Sequence, residues 1–229
     1  MLDDIFAKLF PKKPKPATGP VDYIIAGLGN PGEKYESTRH NAGFLLADFI
    51  AEKYGITLNQ VRFKSYSGDG VIAGKKILIL KPATFMNKSG EAVVEALNFH
   101  KLPIERLLVL VDDIALPTGS LRIRRGGSAG GQNGLKNIIY LTGSDDFPRI
   151  RIGVGAKPNP NADLKDWVLS RFSREEGKLI EEVLGQAAAA IELIVNEQIT
   201  QAMGLYNKRH IGGSPTPKPP QNSSEGENK

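Results

Sequence analysis

An apolar run, Tyr23-Ile24-Ile25-Ala26, leads straight into Gly27-Leu28-Gly29-Asn30-Pro31-Gly32, and an amphipathic pattern (Phe44, Leu45, Ala47, Phe49, Ile50) follows. Uninterrupted apolar residues read as a strand buried on both faces, the mark of a parallel sheet enclosed by helices. Glycines ending such a strand leave an opening where a ligand can reach the backbone. Gly27, Gly29 and Gly32 also satisfy the dinucleotide fingerprint G-x-G-x-x-G. That match is superficial. The third glycine of the fingerprint lies within a helix, whereas Pro31-Gly32 is a turn dipeptide and residues 33–37 have no apolar face. The helix is expected to start near His40, capped by Ser37 or Thr38. No acidic residue ends a following strand, because Asp48 falls inside the helix.

The alternation continues along the chain. Residues 61–66 and 70–73 read as short strands, and residues 76–80 as another, stopped by Pro82. A helix is expected over 89–99, a fully apolar strand over 107–111, a strand over 121–125 and a helix over 135–141. The last clear strand is 149–155, and a long helical stretch runs from Arg174 to Tyr206 with a break near Asn196. This order predicts one α/β domain, a twisted mixed sheet with helices on both faces, over residues 21–208. Residues 1–20 read as a flexible Lys/Pro-rich arm, in which Leu2, Ile5, Phe6, Leu9 and Phe10 have amphipathic spacing. A frayed terminal segment is the plainer reading of those positions. Residues 209–229, rich in Gly, Ser, Pro and Asn, read as a disordered tail.

Charge and cysteine content exclude several classes. The net charge is +5, but the two termini carry more than half of it and only about +2 falls on the expected domain. A nucleic-acid partner must therefore be argued from local clusters. With no cysteine in the chain, disulfides and thiolate metal sites are excluded and a cytoplasmic setting is expected. No apolar run reaches the roughly 20 residues that span a bilayer, so no membrane role is expected. Nor does the start of the chain read as a secretory signal, with Asp3 and Asp4 opening it and Pro11 to Pro16 interrupting it.

Of the three histidines, His210 lies at the tail and His100 in a helix-to-strand connection, where a surface position is expected. His40 differs, because it falls at a helix N-terminus beside the glycine loop. The macrodipole there favours a neutral ring that can take a proton. A carboxylate on the other ring nitrogen would fix the tautomer, and Asp112, ending an adjacent-looking strand, is the best candidate. A mere capping or packing role for His40 is the alternative. Gly126-x-Ser128-x-Gly130 matches the nucleophile elbow G-x-S-x-G, yet only His210 lies downstream to serve it. Arg122, Arg124 and Arg125, with Arg149 and Arg151, flank the same glycine loop, an arrangement suited to phosphate contacts.

GLGNPGEKYESTRHNAGF (27–44), KPATFMNKSGEAV (81–93), VDDIALPTGSLRIR (111–124), GSAGGQNGLKNI (127–138) and FPRIRIGVG (147–155) together resemble the bacterial peptidyl-tRNA hydrolase family. The resemblance covers residues 21–207 in the family's order. It implies a three-layer α/β/α fold and hydrolysis of the ester between a peptide and the tRNA 3′ ribose, with no metal or cofactor. It implies that His40 activates the water and Asp112 orients it. Asn30, Asn87 and Asn133 match the asparagines that hold the peptide end, the water and the reacting carbonyl, and Tyr35 and Met86 match residues of the same cleft. Arg124 and Arg151 match a clamp for the tRNA 5′ phosphate. The family also implies a monomer. Two positions depart from its pattern: Val111 stands where His is frequent, and Gln132 where the loop commonly has His. The alternatives are a non-catalytic RNA-binding protein of the same fold, as in a plastid splicing branch, and a serine esterase using Ser128.

Overall fold

The computed structural model describes residues 19–159 and 161–207. The expected tail, and the arm apart from Gly19 and Pro20, lie outside the described residues. Seven strands form one sheet in the order β2-β3-β4-β1-β5-β7-β6. They are β1 (Tyr23–Gly27), β2 (Gln60–Arg62), β3 (Ser65–Ile72), β4 (Lys75–Pro82), β5 (Leu107–Asp113), β6 (Leu121–Arg124) and β7 (Arg149–Gly153). The central strands β4, β1, β5 and β7 are parallel, while β2, β3 and β6 join antiparallel at the edges.

Among the described residues six α-helices accompany the sheet: α1 (Ala42–Lys53), α2 (Ser89–His100), α3 (Asn133–Thr142), α4 (Leu164–Val168), α5 (Arg174–Val195) and α6 (Ile199–Tyr206). Helices α1, α5 and α6 pack on the side chains of Ile25, Ile79, Leu108, Leu110 and Ile150. Helices α2 and α3 cover the opposite face, on Ile24, Ala26, Leu80, Val109 and Val111. Successive strand residues thus enter opposite cores, which is why the parallel strands read as unbroken apolar runs. After β1 the chain crosses on one face to β4, and after β4 it crosses on the other face to β5, back on the far side of β1. That reversal opens a crevice beyond the carboxyl ends of β1, β4 and β5.

Close packing of α1 sets the width of this crevice. A Cβ on Gly43 would lie 2.3 Å from the Leu110 carbonyl oxygen, and one on Gly27 would lie 2.5 Å from the Gly43 carbonyl oxygen. A Cβ on Gly29 would strike the Phe44 ring at 2.6 Å. Gly27 and Gly29 therefore admit a helix, not the ligand that the sequence pattern invites.

Two local expectations are corrected. The run 61–66 is not one strand, because Phe63 and Lys64 (φ 52° and 49°) make the two-residue turn between β2 and β3. Such turns favour Asn or Gly, so this pair gives no turn signal. Strand β3 begins at Ser65 and keeps Gly68 and Gly70 inside it, where Thr57 and Ile56 leave no room for a side chain. His100 ends α2 partly exposed, as expected, but its ring packs against Phe63 and Phe99 and its Nε2 is buried without a hydrogen-bond partner among the described residues.

The Gly43 contact generates a stability prediction. The substitution Gly43→Ala forces α1 off the sheet and should destabilise the fold by about 3 kcal/mol or more, as overpacking does. A urea melt measures it, and a wild-type midpoint would show that the helix can shift freely.

Candidate active site

The crevice is a cleft of about 540 Å³. Every residue expected to act there, apart from the exposed Arg124, lines it: Asn30, Tyr35, His40, Met86, Asn87, Asp112, Asn133 and Arg151. Its far wall is Leu164, Lys165, Val168 and Leu169 of α4 and the residue after it, a segment in which no element was expected.

His40 lies in a single 3₁₀ turn, Arg39–Asn41, entered from Thr38 and continuing into α1. Its Nδ1 is 3.0 Å from Asp112 Oδ2, and Asp112, at the carboxyl end of β5, is 3% exposed. A carboxylate only accepts, so Nδ1 carries the proton and Nε2 keeps its lone pair. Burial disfavours the imidazolium, but the hydrogen bond and the negative charge of Asp112 outweigh it. The His40 pKa is raised above 6.5. The expected bias toward a neutral ring is thus reversed by the carboxylate.

Three consecutive side chains anchor this turn to three elements. Arg39 forms two bonds with Glu176 (2.8 and 2.7 Å), reaches the Val154 carbonyl and Ser170 Oγ, and stacks on Trp167 at 3.8 Å. Asn41 accepts from the Asn30 N–H at 2.8 Å and donates to the Asn30 carbonyl at 3.0 Å. Asn30 in turn accepts the Met86 N–H on its Oδ1 at 2.9 Å, which fixes the amide and leaves Nδ2 as its unpaired donor. Neither Arg39 nor Asn41 was singled out from sequence. The capping box at Ser173 and Glu176 was the available signal, because the same Glu176 receives Arg39.

Phe85, beside Met86, has φ 61° and ψ 158°, a region almost reserved for glycine. This strained backbone holds a half-exposed ring at the cleft rim. Asn87 and Asn133 are exposed, at the amino ends of α2 and α3, and also border a shallower groove with Lys136, Asn137 and Tyr140.

The arginines divide into two kinds. Arg149 is fully buried, donates to the carbonyls of Gly127, Asp145 and Phe147, and stacks on the Phe147 ring at 4.1 Å. Burial, aided by the Arg151 charge, pushes its pKa down to about 10. Arg151 is 3.2 Å from Asp113 Oδ2 and donates to the Ser128 and Ala129 carbonyls. These two side chains therefore hold the glycine loop from below, and Arg149, fully buried, does not face a phosphate as expected, whereas Arg151 also lines the cleft. Arg122 and Arg124 stand exposed on the same sheet face, opposite Arg151 and Arg149 in the antiparallel register. Ser128 is exposed and its hydroxyl bonds no described residue, and His210, the histidine downstream of it, lies outside the described residues.

Residues 24–213 match the family model for peptidyl-tRNA hydrolase. The chain belongs to the peptidyl-tRNA hydrolase family. A peptidyl-tRNA hydrolase from Caldanaerobacter subterraneus subsp. tengcongensis is 52% identical over 185 residues, which are 81% of this chain and 99% of that protein. One from Finegoldia magna is 47% identical over 189 residues, 82% of this chain and 99% of that protein. The crystal structure of peptidyl-tRNA hydrolase from Acinetobacter baumannii superposes with a TM-score of 0.77 at 36% identity, covering 84% of this chain and 98% of that one. Among the described residues no group of three or more His, Asp or Glu is placed to hold a metal, and no helix is long and apolar enough to cross a membrane.

The balance at His40 has a sign that can be checked. Below the unfolded value near 6.5 the protonated pair stabilises the fold fully, and that contribution is lost as pH rises through the raised folded value. Replacing Asp112 by Asn leaves burial unopposed, so the His40 pKa should fall below 6.5. NMR titration of the imidazole reads this directly, and an unchanged value would remove Asp112 as the cause.

Proposed function

We propose that this protein is a carboxylic-ester hydrolase that cleaves peptidyl-tRNA at the bond between the peptide and the tRNA 3′ ribose, returning tRNA to translation. The observation that carries the reading is the His40–Asp112 pair facing a cleft with the Asn30 amide already oriented. His40 Nε2 takes a proton from water as the water oxygen attacks the ester carbonyl. The imidazolium is stabilised by Asp112, and it returns the proton to the departing 3′ oxygen. Asn30 Nδ2 donates to the oxygen that gains negative charge, a contribution of roughly 2.7–4 kcal/mol for such donors. Asn87, Asn133, Tyr35 and Met86 hold the peptide end and the water. Family membership supports this substrate, and no step in this scheme needs a metal or cofactor.

The tRNA end of the substrate is assigned to Arg124 and Arg151 as a clamp on the 5′ phosphate. Arg124 is exposed on the face that Arg151 shares. Arg151, though engaged with Asp113 and the loop, keeps two of its five N–H groups without a partner among the described residues. We further assign the protein to the cytoplasm, where its substrate arises, as a monomer, as the family resemblance implies.

Turnover of an N-blocked aminoacyl-tRNA tests the reading. His40→Ala should lower kcat by about 10²–10⁴-fold with tRNA binding retained, and Ser128→Ala should leave it unchanged. Full activity of the His40 variant would overturn the assignment, and tRNA binding without any wild-type turnover would favour a non-catalytic RNA-binding role. A second measurement concerns the clamp. Arg124→Ala should raise KM for substrate bearing a 5′ phosphate while leaving substrate that lacks it unaffected. Arg151→Ala should do the same and also lower Tm, because it frees two loop carbonyls. An unchanged preference in both variants would remove the clamp.

A further inference from the structure

Asp112 has two oxygens, and His40 occupies only one of them. The other, Oδ1, lies 3.2 Å from Gln132 Nε2. Gln132 is itself buried, at 7% exposure, and is the N-cap residue just before α3. Its Oε1 accepts the Leu135 N–H at 2.8 Å as the helix cap, and its Nε2 also approaches Met86 Sδ at 2.9 Å. The cap settles which way round the amide sits: a backbone N–H requires the oxygen, so the nitrogen must face Asp112. One side chain thus joins the start of a helix, the second oxygen of the catalytic carboxylate and the residue whose N–H fixes Asn30.

We propose that Gln132 is a positioning residue, its carboxamide holding the Asp112 carboxylate in the plane that His40 requires. Rotation of that carboxylate about its Cβ–Cγ bond would break both hydrogen bonds together, so a donor anchored on a helix terminus restrains it. The amide does not titrate, and it partly neutralises Asp112 without adding an ionisation of its own. The kinetic consequence rests on the esterase reading above; the geometric one does not. Other charged or titratable groups facing the cleft are Tyr35 from the turn after the glycine loop, Lys165 from α4, and Asp113 with Arg151, which pair with each other. Asp112 alone among them bonds His40.

Two substitutions separate this role from capping. Gln132→Ser keeps a good helix cap but is too short to reach Asp112. It should retain Tm, lower kcat by about 10- to 100-fold for a lost bond to a charged group and leave KM within about twofold. With Asp112 less neutralised, the imidazolium is favoured, so the acid limb of kcat/KM and the NMR titration of His40 should both move to higher pH. Gln132→Glu places a second carboxylate beside Asp112 and should move the His40 titration further in the same direction. Wild-type kcat and an unshifted His40 titration in either folded variant would overturn the proposal. A wild-type protein that fails to hydrolyse N-blocked aminoacyl-tRNA would instead overturn the esterase reading. The His40 titration in the two variants would still decide the role of Gln132.

Discussion

A carboxylate held at 3% exposure sets the terms for the rest of this site. Leaving Asp112 charged and unpaired in that position would cost several kcal/mol. Its partners come from distant parts of the chain, His40 from 72 residues before it and Gln132 from 20 residues after it. Only the sheet order brings them together. Strand β5 lies beside β1, so the loop after β1 carries His40 past the end of β5, and α3 starts over the same point. Correct closure of the crevice and satisfaction of the buried charge are one event. Any rearrangement that displaces α1 or α3 also exposes an unsatisfied carboxylate, which penalises the displaced state beyond its lost apolar contacts.

The same economy governs the three residues around the base. Arg39 ties the turn to α5 and to the segment carrying α4, His40 ties it to β5, and Asn41 ties it to the loop bearing Asn30. Alternate placement of the turn would break all three sets of bonds. The His40 ring, the base of the proposed reaction, therefore has little freedom beyond its own torsions, and the near approach of α1 through Gly43 removes much of the remaining slack. Pre-organisation of this kind counts in catalysis because the donors need no reorganisation as charge develops.

Much of this was legible in the residues. The parallel strands read as apolar runs because both of their faces are covered, and His40 with Asp112 could be paired from their places at element ends. What could not be read was whether a face is covered, and by what. Period-two spacing put Arg149 and Arg151 on one face correctly, but a covering loop whose carbonyls point down at them has no sequence signature. The turn at Phe63-Lys64 lacked the residues that usually announce one, and the short helix α4, although Asp163 caps it, spans too few residues to show a period. Gln132 presented itself as a departure in a loop, whereas its position as a cap facing Asp112 depends on where β5 ends. In each case the missing information was a tertiary neighbour rather than a local preference.

The glycine-rich segment before α3 shows how that neighbour changes a meaning. Loops of this composition often turn N–H groups toward phosphate. Here the carbonyls of Gly127, Ser128 and Ala129 accept from two buried guanidinium groups, so the loop's inner side is the acceptor side. All of the positive charge of Arg149, and part of that of Arg151, supports the loop that carries Gln132 and Asn133. What remains for a polyanion is Arg122 and Arg124 on the exposed face, beside the edge of Arg151. In the proposed reaction, the solvated charge of Arg124 and the buried His40–Asp112 pair are screened by salt to different degrees. In that reaction, changes at Arg124 would fall on substrate affinity and changes around Asp112 on the chemical step.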